Sequence, residues 1–305
     1  MYAVVAYPLY GLAAYVAIML LAFVGYNVLP SPPLLLGFIA RSMSAYLALM
    51  ICAAYGTIAS GILNLLDLHY KYGQWTTARS FKYVGKIMMG VEFDIEPGGQ
   101  EILDKTKPAV IVANHQTELD ILMLGSLFPQ SCSVTAKKSI ARIPLLGWYM
   151  LLSGTVFIDR ANRAQAMKAF ERAAKTMKER QQSVFMFPEG TRSYSREPML
   201  LPFKKGAFHM AVQGQVPIIP AVAENYSYIL DVKARRFNAG RARIRGKKTL
   251  HECDLLRPIE TKGKTAADVD ALLEETRGVM LKALHEMAQD NESKMISKVQ
   301  EKKES

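Results

Sequence analysis

From Ala3 to Leu29 the chain is mainly apolar and carries no charge, and a second uncharged run extends from Ser42 to Leu66. Each run exceeds the about 20 helical residues that a bilayer core of about 30 Å requires. Between them stands Pro30-Ser31-Pro32-Pro33, a strong helix breaker. The pattern predicts a hydrophobic helical hairpin, a membrane anchor over residues 1–66. A cleaved signal peptide fits poorly, because no basic segment leads the run and the run is too long.

Past Lys86 the pattern changes. Val91-Glu92-Phe93-Asp94-Ile95 alternates with period two, and Pro97-Gly98-Gly99 then turns the chain. Ala109 to Ala113 is a continuous run rich in β-branched residues, as in a strand buried on both faces. Further strands are expected at Cys132–Ala136, Thr155–Ile158, Val184–Phe187 and Val216–Val222. Helices are expected at Glu118–Phe128, Arg163–Arg180 and Lys204–Gln213. The clearest is Arg163–Arg180, where Met167, Phe170, Ala174 and Met177 share a stripe. Lys175 can pair with Glu171 and Glu179 on its wet face. This strand–helix rhythm predicts an α/β domain over 67–289, a largely parallel central sheet flanked by helices. Ala242–Arg245 and Thr249–Cys253 are possible extra strands, and Thr265–Gln289 reads as a last helix. Residues 290–305 are charged and poor in large apolar side chains, so a frayed tail is expected.

Charge sharpens the division. The net +11 contains a single charge before Asp67, Arg41, so residues 67–305 carry +10. A basic domain behind an apolar anchor suits anionic lipid or anionic substrates. Nucleic acid is not expected, since no helix-turn-helix, zinc-finger or aromatic single-strand signature is present. Lys71, Arg79, Lys82 and Lys86 follow the second run, which places the domain on the cytosolic side if both runs span. A hairpin lying in one leaflet is the alternative. Cys52, Cys132 and Cys253 are scattered and odd in number, as for buried thiols in a reducing compartment.

The candidate chemistry lies at strand ends. His115 and Asp120 are five residues apart, too far round a regular helix to share a face. Thr117-Glu118-Leu119-Asp120 has capping-box form, so the helix is expected to start after Thr117 and leave His115 in a loop. A carboxylate on one imidazole nitrogen lets the other accept a proton. The residues alone leave open that Asp120 is only a cap, or that His115, Glu118 and Asp120 hold a metal. Pro188-Glu189-Gly190-Thr191-Arg192-Ser193 follows another strand, with a glycine for a tight turn and an arginine suited to phosphate. Lys137 and Arg160 follow two further strands.

Taken together, Asn114-His115 to Asp120, Gly154 to Arg160, Phe187 to Ser193 and Val216 to Pro220 resemble the motifs of glycerolipid acyltransferases. The 1-acyl-sn-glycerol-3-phosphate acyltransferases are the nearest group in order and spacing. Pro202-Phe203-Lys204-Lys205-Gly206 is also similar. The resemblance spans about Val91 to Val222. It implies that His115 deprotonates the sn-2 hydroxyl of lysophosphatidic acid, which attacks acyl-CoA, while Asp120 orients His115. It implies that Glu189, Gly190, Thr191 and Arg192 bind the glycerol phosphate with Arg160 and Lys137, and that Val216–Pro220 lines the acyl side. Acyl-CoA would be a co-substrate, with no metal or prosthetic group. Lys302 and Lys303 resemble a dilysine signal for the endoplasmic reticulum.

Overall fold

The computed structural model describes the backbone of residues 2–245 and 257–304, and side chains over 6–245 and 257–293. The apolar runs form α1 (Tyr2–Val28) and α2 (Leu34–Leu65), both long and apolar enough to cross a membrane. α2 begins straight after Pro33, ahead of the uncharged run that starts at Ser42, so Arg41 is a helix residue. Its guanidinium is accommodated there by the rings of Phe23 and Tyr26, at 5.8 and 5.4 Å, and by the carbonyls of Met89 and Phe237.

Nor does α2 stand apart from the domain. Its small residues Ala48, Cys52, Ala53, Gly56 and Ser60 are buried. A Cβ on Gly56 would lie 2.7 Å from Thr77 and Tyr149, so the close helix approach depends on that glycine. The opposite face exposes Ile58, Ile62 and Leu65. One helix thus serves as apolar surface on one side and as scaffold on the other.

The domain proper starts with α3 (Gln74–Met89) and β1 (Val91–Ile95), then α4 (Gly99–Lys105), β2 (Val110–Ala113) and α5 (Asp120–Leu127). It continues with β3 (Cys132–Lys137), α6 (Leu146–Leu152), β4 (Val156–Ile158), α7 (Arg163–Arg180), β5 (Ser183–Met186), α8 (Gly206–Gly214) and β6 (Ile218–Ala223). The ribbon β7 (Leu230–Asp231) and β8 (Arg236–Phe237), β9 (Gly240–Arg245) and α9 (Val269–Glu304) complete it. The main sheet has the order β1-β9-β6-β2-β5-β3-β4. All its pairings are parallel except β6 with β9. The largely parallel sheet read from the alternation is what the structure contains.

Alternation along the strands sorts the core into two layers. Ile111, Phe185, Ile219 and Ala221 pack with α3 and α5, whereas Val110, Val112, Val184 and Ile218 pack with α7, α8 and α9. β6 is buried at every residue. Ile218 to Pro220 of the block that the resemblance sets on the acyl side thus lie in the central sheet. Pro220 faces Val112 on β2, and β9 pairs with β6 only at Val222 and Ala223, so its missing N–H breaks no ladder on that side.

α9 runs past the expected Gln289 boundary. Arg245, 3% exposed, binds Glu96, Glu286 and Asp290 at 3.1, 2.9 and 3.1 Å, and Asn291 bonds Arg243 and Glu224. Those contacts tie residues 290 and 291 to the sheet. The candidate strand Thr249–Cys253 lies outside the described residues; Cys52 and Cys132 are buried free thiols.

Candidate active site

Three adjacent strands, β6, β2 and β5, end together, and their following loops meet. Strand C-termini in open α/β sheets are where ligands bind. After β2, Asn114 turns back and exchanges hydrogen bonds with Ala223, its Nδ2 donating at 2.8 Å and its Oδ1 accepting at 2.9 Å. This fixes the start of the loop that carries His115.

His115 Nδ1 lies 2.5 Å from Asp120 Oδ2, and the same oxygen accepts the Gln116 N–H at 2.8 Å. The Asp120 side chain is 3% exposed and that of His115 16%, so the imidazole sits at the mouth and its carboxylate beneath. The ring stacks on Phe187 at 4.1 Å and 13°. With Nδ1 held, Nε2 is the nitrogen free for proton transfer. The expected capping box does not form. α5 starts at Asp120, Thr117 Oγ1 accepts only the Leu119 N–H, and Asp120 reaches one residue further back, to Gln116. The carboxylate is committed to the histidine loop, not to a cap.

Glu189 differs most from expectation. It is 3% exposed, and its two oxygens accept the backbone N–H groups of His115 at 2.7 Å and Leu201 at 2.9 Å. Burial raises its carboxyl above the usual range, partly countered by those two donors. An inward carboxylate is no ligand for a phosphate; it braces the His115 loop. Two backbone bonds complete the splice, Ser193 N–H to His115 O at 2.9 Å and Tyr194 N–H to Gln116 O at 3.1 Å.

The other residues expected to hold the phosphate, here called the clamp, face outward. Gly190 adopts φ +70°, and a Cβ there would fall 2.9 Å from Lys204 Cε and 3.0 Å from its Nζ. Arg160 donates to Gly190 O at 2.6 Å. Thr191 and Arg192 are exposed. Arg192 pairs with Glu118 at 2.9 Å, and Tyr194 donates to the same carboxylate at 2.6 Å. A pair this exposed contributes about 0–1 kcal/mol, so an incoming phosphate can displace Glu118. Arg160, Arg192 and Lys204 thus surround one glycine turn. Lys137, by contrast, ends β3 with its side chain exposed, and no described contact joins it to that turn.

These loops fall within residues 94–224, which match a family model described as Acyltransferase. The chain is 42% identical over 247 residues to the 1-acyl-sn-glycerol-3-phosphate acyltransferase of Saccharomyces cerevisiae, covering 81% of this chain and 77% of the relative. The chain belongs to the acyltransferase family. An uncharacterized acyltransferase of Schizosaccharomyces pombe is 45% identical, over 81% of this chain and 84% of its own. The human 1-acyl-sn-glycerol-3-phosphate acyltransferase alpha is 34% identical, over 81% and 78%. Among solved structures, the 1-acyl-sn-glycerophosphate acyltransferase PlsC of Thermotoga maritima shares the fold, with a TM-score of 0.59 and 22% identity over 82% of this chain and 97% of that one.

Within this acyltransferase, two site residues had no assigned part in the sequence reading. Lys204 lies in a noted run, but only the turn at Gly190 brings it to the clamp. Tyr226 is fully buried, donates to Asp120 Oδ1 at 2.5 Å and accepts the Thr117 N–H at 3.2 Å. Burial and the adjacent carboxylate push its phenol well above the ordinary value, so it stays a neutral donor. Tyr226→Phe removes one of the three groups holding Asp120. The expected result is a fall in kcat of roughly 3–10-fold with little change in KM, the size of one hydrogen bond. Steady-state kinetics of the variant checks it, and a change in KM alone would contradict it.

Proposed function

We propose that this enzyme transfers an acyl group from acyl-CoA to the sn-2 hydroxyl of 1-acyl-sn-glycerol-3-phosphate, giving phosphatidic acid and CoA. The observation that carries the reading is the His115–Asp120 pair, bound to the same spliced loops as the cationic turn at Gly190. The acceptor's phosphate binds Arg192, Arg160 and Lys204. That holds the hydroxyl against His115 Nε2, which takes its proton as the oxygen attacks the thioester carbonyl. The C–S bond breaks, and the proton passes from His115 to the departing thiolate. Asp120 stabilises the transient imidazolium and, with Tyr226 and Gln116, fixes the ring. That the yeast and human relatives are 1-acyl-sn-glycerol-3-phosphate acyltransferases supports this acceptor. α1 and α2 attach the enzyme to the membrane, and the endoplasmic reticulum with a cytosolic domain is the expected address, which imaging of a tagged chain tests.

The headgroup assignment makes a specific demand on Arg192. Arg192→Ala is expected to raise KM for lysophosphatidic acid roughly 10–100-fold, the value of a hydrogen-bonded charge pair, with a smaller effect on kcat. Arg192→Lys restores only part, because a point charge cannot reproduce the planar fork. Lysophosphatidylcholine offered as acceptor separates the phosphomonoester reading from a choline-type headgroup. If the zwitterion is used as well as lysophosphatidic acid, the clamp has been misassigned.

A further inference from the structure

The turn at Lys138–Arg142 and α6 follow the C-terminal end of β3, the sheet end that also carries the His115 loop. Two side chains of α2 fix α6 in place. Thr57 Oγ1 donates to Leu145 O at 3.0 Å and Asn64 Nδ2 to Leu152 O at 2.5 Å. Donors and acceptors are each seven residues apart, so the two helices run parallel in one-to-one register. Tyr149 turns onto α2 and Met150 into the core, both 8% exposed. Trp148 and Leu151 turn outward, 52% and 57% exposed. By that register they stand level with the exposed face of α2, where Ile58 and Ile62 are 66% and 55% exposed. Ile143, directly after the preceding turn, is also exposed. Lys137, Lys138 and Arg142, all exposed, precede it in the chain; of these, Lys138 also pairs with Asp159 at 3.6 Å and donates to Gln165 at 3.3 Å.

We propose that α6 and its preceding turn form a second membrane contact, one made by the catalytic domain itself and continuous with α2. The occupant is the headgroup–acyl boundary of an anionic bilayer. A tryptophan and aliphatic side chains beside lysines and an arginine suit that layer, with rings at headgroup level and cations on phosphates. The shared register with the apolar helix favours lipid over a protein partner, which would have to sit where α2 already meets the bilayer. A lysophospholipid could then move from the lipid layer to His115 without crossing water. The inference rests on membrane attachment through α1 and α2.

The chain has two tryptophans, Trp75 and Trp148, which allows a test without activity. The full-length protein is placed in nanodiscs of phosphatidylglycerol and phosphatidylcholine whose acyl chains carry bromine near the headgroup or near the chain end. In Trp75→Phe, emission from Trp148 is expected to fall by roughly half with bromine near the headgroup and less with bromine near the chain end, the pattern of an interfacial side chain. Wild type compared with Trp148→Phe gives the same quantity by difference should Trp75→Phe fold poorly. Protein that enters the discs with Trp148 unquenched by either lipid overturns this contact alone. Protein that enters no disc overturns the anchor with it.

Discussion

His115→Ala is expected to lower kcat by about 10²–10⁴-fold, the range that a positioned general base contributes, with KM for both substrates nearly unchanged. Nε2 is the only proton acceptor the dyad presents to the mouth of the site, and no clamp residue can replace it. Asp120→Asn should cost a comparable factor for a different reason. The amide can still meet the Gln116 N–H, but it cannot offset the charge on the imidazolium. Combining the two changes should cost little more than either alone, since the residues act as one unit. Initial rates on folded, membrane-inserted protein measure all three. Independent, multiplying losses would show that Asp120 is only a structural support.

Glu189→Ala should be the most damaging substitution for the site's architecture. Removing its carboxylate strands the half-buried N–H groups of His115 and Leu201, each worth about 1–3 kcal/mol when left without an acceptor. Stability should fall by roughly 2–5 kcal/mol. The His115 loop would also lose its fixed position, and a shift of about 1 Å at a reacting group can cost about 10²-fold in rate. Glu189→Gln keeps the acceptor for His115 but sets an NH₂ against the Leu201 N–H, so an intermediate loss is expected. Thermal unfolding measured beside kcat separates this role from phosphate binding. A phosphate ligand would raise KM for the acceptor and leave the unfolding temperature alone.

Glu189 also shows where reading the chain stops. Its place in a strand-end turn was legible, and so was the arginine three residues on. The direction of its side chain was not, because no local pattern says whether an acid beside Phe187 and Pro188 faces solvent or the neighbouring strand's loop. Tyr226 was beyond reach for a related reason. It lies 106 residues from Asp120, and only the neighbouring positions of β2 and β6 in the sheet bring them together. Elements with their own periodicity were plain: α7 matches the Met167–Met177 stripe, and β2 the β-branched run ending at Ala113. The uncharged run begins only at Ser42, after Arg41, whereas α2 begins at Leu34. Two rings and two carbonyls let that charge sit inside a helix. The loop position of His115 was legible from its place after the β-branched run, although the capping box expected to start the helix does not form, whereas its neighbours come from separate strands.

The central claim is that the dyad and the cationic turn serve one reaction, and acyl transfer measures it most directly. Membranes containing the protein are incubated with radiolabelled oleoyl-CoA and either lysophosphatidic acid or glycerol-3-phosphate. The account predicts label in phosphatidic acid from the first acceptor, dependent on His115, and little product from the second. Equal labelling of both acceptors, or no transfer to lysophosphatidic acid by folded protein, would contradict it.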